Sequence, residues 1–268
     1  MSRPSDIYTH GHSASVLRSH TWRTVENSAG YLAEHLVDGA AVLDVGAGPG
    51  TISIDMAQRV GSGSVIGIEL SQEVLIKARA AVPAEVTNID FRVGDVYSLD
   101  FDDDSFDIVH AHQVLQHLSD PVSALREMRR VAKPGGVVAA RDADYQAMFW
   151  APSDPLLDRW MEIYQAVARS NDAEPDAARF LLGWASEAGF SEVEATASMW
   201  CFANDTDREW WGSLWADRML DSALADQAIE RGIATRSDLE GVSAAFRDWV
   251  DKPGAWFGVP HGEILAAG

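Results

Sequence analysis

An acid, a glycine loop and two further acids stand at the ends of successive apolar runs, in an order that suggests a ligand site. Val42-Leu43-Asp44-Val45 leads directly into Gly46-Ala47-Gly48-Pro49-Gly50-Thr51. Glycine at 46 and 48 permits a tight turn and close approach of a ligand to the backbone. A helix beginning behind the loop presents unpaired N–H groups. Dinucleotide-binding loops look similar. Here, though, Thr51 stands where that pattern has its third glycine, and Pro49 removes an N–H that a pyrophosphate would use. Asp44, just before the loop, suits an ammonium or sulfonium better than a pyrophosphate. Glu69 follows Gly50 by 19 residues, where a carboxylate can accept both hydroxyls of a ribose. Asp95, in Gly94-Asp95-Val96, can accept an adenine amino group while Val96 covers the ring. Any one of these acids also reads as a surface or capping carboxylate; the ordered set does not.

A second group could handle a proton. His110, His112 and His117 cluster in the sequence. The reading places His110 inside a strand with its ring packed, and His117 in a structural role. His112 faces the ligand region. Asp142, Asp144 and Tyr145 either line an acceptor pocket or form a loop of solvated acids. No metal is expected, because the H-x-H-x₄-H spacing lacks a helical i,i+4 pair.

These residues need a frame to bring them together. Strand-like runs at 41–45, 64–68, 89–93, 106–110 and 136–141 alternate with helical patterns at 50–60, 72–81 and 121–132. Lys133-Pro134-Gly135-Gly136 reads as a turn between the last helix and strand. Alternating β and α elements imply a doubly wound, mostly parallel α/β sheet with ligands at its carboxyl edge.

Nine of the ten tryptophans lie at or beyond Trp150. A helical apolar stripe runs from Leu156 to Val167. Helices are expected at 177–188, within 207–231 and at 239–250, and strands at 193–202 and 255–265. With no repeat or linker, the chain reads as one domain over 1–268. Its core spans about 22–142 and 177–268. Helical insertions at about 143–176 and 204–252 would cover the acceptor. Trp200, Trp210, Trp211, Trp215 and Trp256 read as core, or in part as a lid over an apolar acceptor. Arg218 could orient an anionic acceptor, although a surface salt bridge is its plainer reading.

Composition narrows the partners. The formal charge is −20, from 41 acids against 21 bases. Nucleic acid and anionic membrane surfaces are therefore not expected partners. The basic group Arg126, Arg129, Arg130 and Lys133 reads as a solvated helix face. Cys201 is alone, so no internal disulfide can form, and Trp200 and Phe202 beside it suggest a buried thiol. The first twenty residues are polar and no run is long enough to span a membrane. A cytoplasmic protein, monomer or homodimer, is expected.

With VLDVGAGPG, the acid in IGIEL, GDVYSLDF, VLQHLSDP and REMRRVAKPGG in place, the chain resembles class I S-adenosylmethionine (SAM)-dependent methyltransferases of the ubiquinone/menaquinone-biosynthesis type. It is also similar to small-molecule methyltransferases of secondary metabolism. The resemblance covers residues 22–141 well and 177–193 more loosely. It implies a Rossmann-like sheet of seven strands, the last antiparallel, and SAM as cofactor. By that resemblance Gly46, Ala47 and Gly48 contact the methionine and ribose. Glu69 holds the ribose beside Leu70, and Asp95 and Val96 hold the adenine. His112 lies near the transferred methyl, and Arg23 pairs with the methionine carboxylate. His112, Asp144 and Tyr145 are the candidate catalytic residues; Trp200, Trp211, Trp215 and Arg218 are the candidates for the acceptor. The expected activity is methyl transfer to an O, N or C atom of a small metabolite. The motifs are equally compatible with a SAM-binding enzyme that does not transfer methyl, such as a cyclase. A non-catalytic SAM-binding partner fits less well, because its loop would be expected to be degenerate.

Overall fold

Val42 and Leu43 are neighbours on one strand, yet each is buried in a different core. Successive strand side chains point to opposite faces, so a run apolar on both must be covered on both. In the computed structural model, which describes Asp6, Thr9 and residues 19–267, this is an interior strand of the sheet. The rest of the polar opening stretch lies outside the described residues.

The strands are β1 Ala41–Val45, β2 Ser64–Glu69, β3 Ile89–Val93, β4 Phe106–His112, β5 Ala132–Ala143, β6 Phe149–Ala151, β7 Val193–Phe202 and β8 Trp256–Ala267. Their order is β3-β2-β1-β4-β5-β8, with β7 and the short β6 each antiparallel to β8. Pairs among β1 to β5 are parallel, and β8 runs antiparallel to β5. The doubly wound sheet expected from the sequence is present, with eight strands rather than seven. The added strand, β6, has only three residues, too few to show a periodicity.

The helices are α1 Val25–Ser28, α2 Thr51–Arg59, α3 Gln72–Ala81, α4 Pro121–Val131, α5 Pro155–Arg169, α6 Leu181–Ala188, α7 Asp205–Arg218, α8 Ala223–Glu230 and α9 Arg236–Val250. Their starts follow local chemistry. Asp120 accepts from Ser123 N with Pro121 in the first turn of α4, and Thr235 and Asp238 form a capping box on α9. Against one face of the sheet lie α1 and α2 with Leu32, Met56 and Val60; against the other lie α4 and α6. A third core, rich in tryptophan, joins α5, α7, α8 and α9 to the ends of β7 and β8.

Three expectations change. Residues 133–136 are not a turn before β5 but an irregularity inside it. Ala132 already pairs with Phe106, and regular pairing resumes at Ile108 and Val137, with Gly135 at φ +79° absorbing the extra length. The expected buried thiol of Cys201 is exposed. Strand alternation turns Trp200 and Phe202 into the core and Cys201 outward. Arg130 is not merely solvated: it binds Leu99 O, Phe101 O, Asp103 and Glu127, fixing the loop before β4. No helix among the described residues is long and apolar enough to cross a membrane.

Candidate active site

The order of the sheet reverses at β1 and β4, and a cavity of about 450 Å³ opens at the carboxyl ends of these strands and of β2. The glycine loop forms one wall. Gly46, Gly48 and Gly50 have φ of +68°, +54° and +83°, a region that side-chain-bearing residues adopt only under strain. A Cβ on Gly46 would collide with Val114 on the chain after β4, which closes over the loop. Glu69, Leu70, Ser71, Gly94 and Val96 continue this end of the cavity. One Glu69 oxygen receives Ser71 N at 3.2 Å.

Asp44 lines the cavity, but both its oxygens already carry protein donors. Oδ1 receives His110 Nδ1 at 2.8 Å and Oδ2 receives the Ser53 hydroxyl of α2. Alternation on β1 aims Asp44 at α2, on the same face as Val42, so it ties β1 to β4 and α2 beneath the loop. His110 is packed, as expected. Asp95 is exposed and accepts Tyr97 N at 2.9 Å. It does not line the cavity, whereas its neighbours Gly94 and Val96 do.

His112 is the last residue of β4 rather than a loop residue, because β4 runs two positions beyond its expected end. It is 5% exposed, lines the cavity, and neither ring nitrogen has a hydrogen-bond partner. Burial, with help from the charges of Arg23 and Arg141, holds its pKa well below the usual histidine value. The ring is therefore neutral at pH 7. His117 also lines the cavity, and burial pushes its pKa down to about 3.

Arg23 reaches the site from the segment before α1. It donates to Gln113 Oε1 at 2.5 Å, while Gln113 Nε2 donates to His261 Nε2 at 2.9 Å. The amide thus joins the N-terminal segment to β8. Gln113 has φ +53° and lines the cavity, a role for which the sequence offered no signal beyond its position after His112.

The opposite half of the cavity is aromatic. Trp200, Trp210, Trp211 and Trp215 line it together with Tyr145 and Met148. Trp22 packs against Trp200 and Trp210, each 5.2 Å away between ring centroids, and Trp200 Nε1 donates to Asn27 O. Arg218 is 4% exposed, not a surface residue. It lies over the Trp215 ring and donates to Ser19 at 2.9 Å. Tyr145 stacks on Tyr164 at 3.8 Å, and burial raises its pKa. Two sequence candidates fall elsewhere. Asp144 is held by Arg179 through both oxygens, at 2.5 and 2.7 Å, and caps the turn at Tyr145–Ala147. Trp256 is 40% exposed on β8 and packs on Phe149.

Residues 36–208 match the family model described as a methyltransferase domain. The chain belongs to the SAM-dependent methyltransferases. It is 37% identical to an uncharacterized methyltransferase of Schizosaccharomyces pombe, across 99% of this chain and 98% of that one. A probable methyltransferase of Aspergillus luteorubrus is 30% identical, across 97% and 96%. Among solved structures, a Haemonchus contortus phosphoethanolamine N-methyltransferase bound to S-adenosylhomocysteine (SAH) superposes with a TM-score of 0.54. It is 17% identical and is covered over 86% of this chain and 49% of that one, a likeness of fold. The left-handed glycines and the cavity wall they form with Ala47, Pro49 and Thr51 fit SAM, which is the cofactor of this methyltransferase.

Proposed function

We propose that this methyltransferase acts on a small organic molecule, at an O, N or C atom, held in the aromatic half of the cavity. The observation that carries the reading is His112. It is buried, its nitrogens are unpartnered, and it lies 5.7 Å from the Trp200 ring on the strand beside the glycine loop. One cavity thus joins a nucleotide-type cradle to an aromatic chamber, with His112 between them. On this reading Gly46, Ala47 and Gly48 hold the methionine and ribose portion, and Arg23 pairs with the methionine carboxylate. Glu69 accepts from the ribose, Leu70 and Val96 flank the adenine, and Asp95 reaches the adenine amino group from the cavity rim.

Bound SAM supplies a methyl group already activated by its sulfonium, so the chain's task is alignment and exclusion of water. The indoles and Met148 keep the acceptor chamber dry. Neutral His112 accepts a hydrogen bond from the acceptor, or donates one, and so orients it. Tyr145 is a candidate for the same task on the opposite wall. Residues 143–176 and 204–252 then serve as helical insertions of one domain, bringing α5 and α7 over the chamber.

Calorimetry with SAH and SAM, followed by turnover on a panel of phenols, carboxylic acids and amines, tests this. Binding of both cofactors and methylated product are expected. No heat with SAM at up to about 1 mM would sink the reading. Consumption of an acceptor beside unchanged SAM would replace it with a cyclisation-type activity.

A further inference from the structure

Four indoles line the acceptor half, Trp200, Trp210, Trp211 and Trp215. Such a set suggests an aromatic box for an alkylammonium ion, which needs open ring faces. Here three of the four rings already carry a protein group against a face. The Arg218 guanidinium lies 4.6 Å from the Trp215 centroid, and Phe246 stacks on the same ring at 6.1 Å. Arg141 and Arg23 lie over Trp200 at 5.0 and 5.6 Å. Trp211 stacks on Phe202 with an interplanar angle of 9°. On Trp200 and Trp215 those groups are the protein's own guanidiniums.

Charge and hydrogen bonding point the same way. Among the described residues lining this half, none is Asp or Glu; the lining carboxylates Asp6, Asp44 and Glu69 belong to the other half or to the loop beneath it. Asp6 is engaged by Tyr97 and Ser119, and Asp44 by His110 and Ser53. An ammonium entering the chamber would meet the Arg218 guanidinium, and none of the described residues lining this half offers a carboxylate to offset that repulsion. Donors, by contrast, are available. The buried Trp211 indole N–H has no acceptor, and neutral His112, with both nitrogens unpartnered, adds one N–H beside one acceptor nitrogen. A buried donor left unpaired is costly, and a ligand oxygen relieves that cost.

Resting on the methyl-transfer reading above, we propose that the chamber takes a flat acceptor bound as its anion, a carboxylate or phenolate, and refuses alkylammonium acceptors. Such an acceptor exposes its attacking lone pair and has no proton to lose. His112, held neutral, then orients the acceptor rather than deprotonating it.

Two probes of matched ring and opposite charge test this: 2-naphthoate and 2-naphthylmethylammonium, titrated calorimetrically into the SAH-saturated protein. Naphthoate should bind at least about tenfold more tightly. Arg218→Gln should lose that preference, and the wild-type comparison decides the matter if the variant does not fold. Equal binding, a preference for the ammonium, or no binding of either ring by protein that takes up SAH overturns the charge assignment and leaves methyl transfer standing. Failure to take up SAH overturns the methyl-transfer reading and this inference with it.

Discussion

Asp44 Oδ1 receives His110 Nδ1 at 2.8 Å, a buried hydrogen bond that ties β1 to β4 directly under the glycine loop. Together with the Ser53 hydroxyl on Oδ2, it leaves this acid with a structural task. Asp44→Ala would strand two buried donors, costing about 1–3 kcal/mol each. Its urea midpoint is expected to fall along with SAH affinity, and Asp44→Asn should recover part of both. An unchanged midpoint with SAH binding abolished would return Asp44 to a direct role at the ligand.

Asp144 is a second site candidate whose partners belong to the scaffold. Arg179 is 41% exposed, so screening limits the pair to about 1 kcal/mol or less. Asp144→Asn is expected to lower the melting temperature slightly and leave kcat within about twofold. A fall of a hundredfold or more in kcat would restore it to the catalytic set.

Asp44 and Asp144 show where sequence reading stops. Strand, loop and helix from Ala41 to Glu69 were legible because glycine placement and apolar runs are local signals. The partners of each acid were not, since Asp44 meets His110 and Ser53 only after the strands register. Cys201 was misread because composition near a residue says less than its parity on a strand. Gln113 reaches the cavity through contacts with Arg23 and His261, from distant parts of the chain. Arg218 looked like a helix-surface cation, yet α7 turns it over Trp215.

Stability should respond to pH in two opposed ways. Burial depresses the pKa values of His112, His117 and His261. A depressed histidine contributes stability that is present above the unfolded value near 6.5 and is lost as pH falls. Each then contributes a slope of about 1.4 kcal/mol per pH unit below that point. Asp142 goes the other way. Burial raises it to about 8, one oxygen accepting Gln116 N and the other having no partner. It folds protonated, so its contribution is lost as pH rises from its unfolded value toward 8. Stability should therefore peak between about pH 6 and 7 and decline on both sides. Asp142→Asn should flatten the alkaline decline, measured by urea unfolding at several pH values. His117→Gln should reduce the acid slope. A decline toward pH 8 that persists unchanged in Asp142→Asn would assign it to other groups.

Gly46 and Gly48 share a left-handed backbone but not the same surroundings. A Cβ on Gly48 would come no closer than 3.8 Å to His20, whereas one on Gly46 would strike Val114. Alanine at either position carries the backbone strain, about 1–2 kcal/mol. Only Gly46→Ala must also displace the chain after β4, which carries Gln113 and borders His112. Its SAH affinity should therefore fall well below that of Gly48→Ala, by about tenfold or more. Removing the obstruction should separate the two costs. In Gly46→Ala/Val114→Ala the affinity is expected to return toward that of Gly48→Ala, a coupling readable in a double-mutant cycle. Additive losses in that cycle would show that Val114 does not press on the loop.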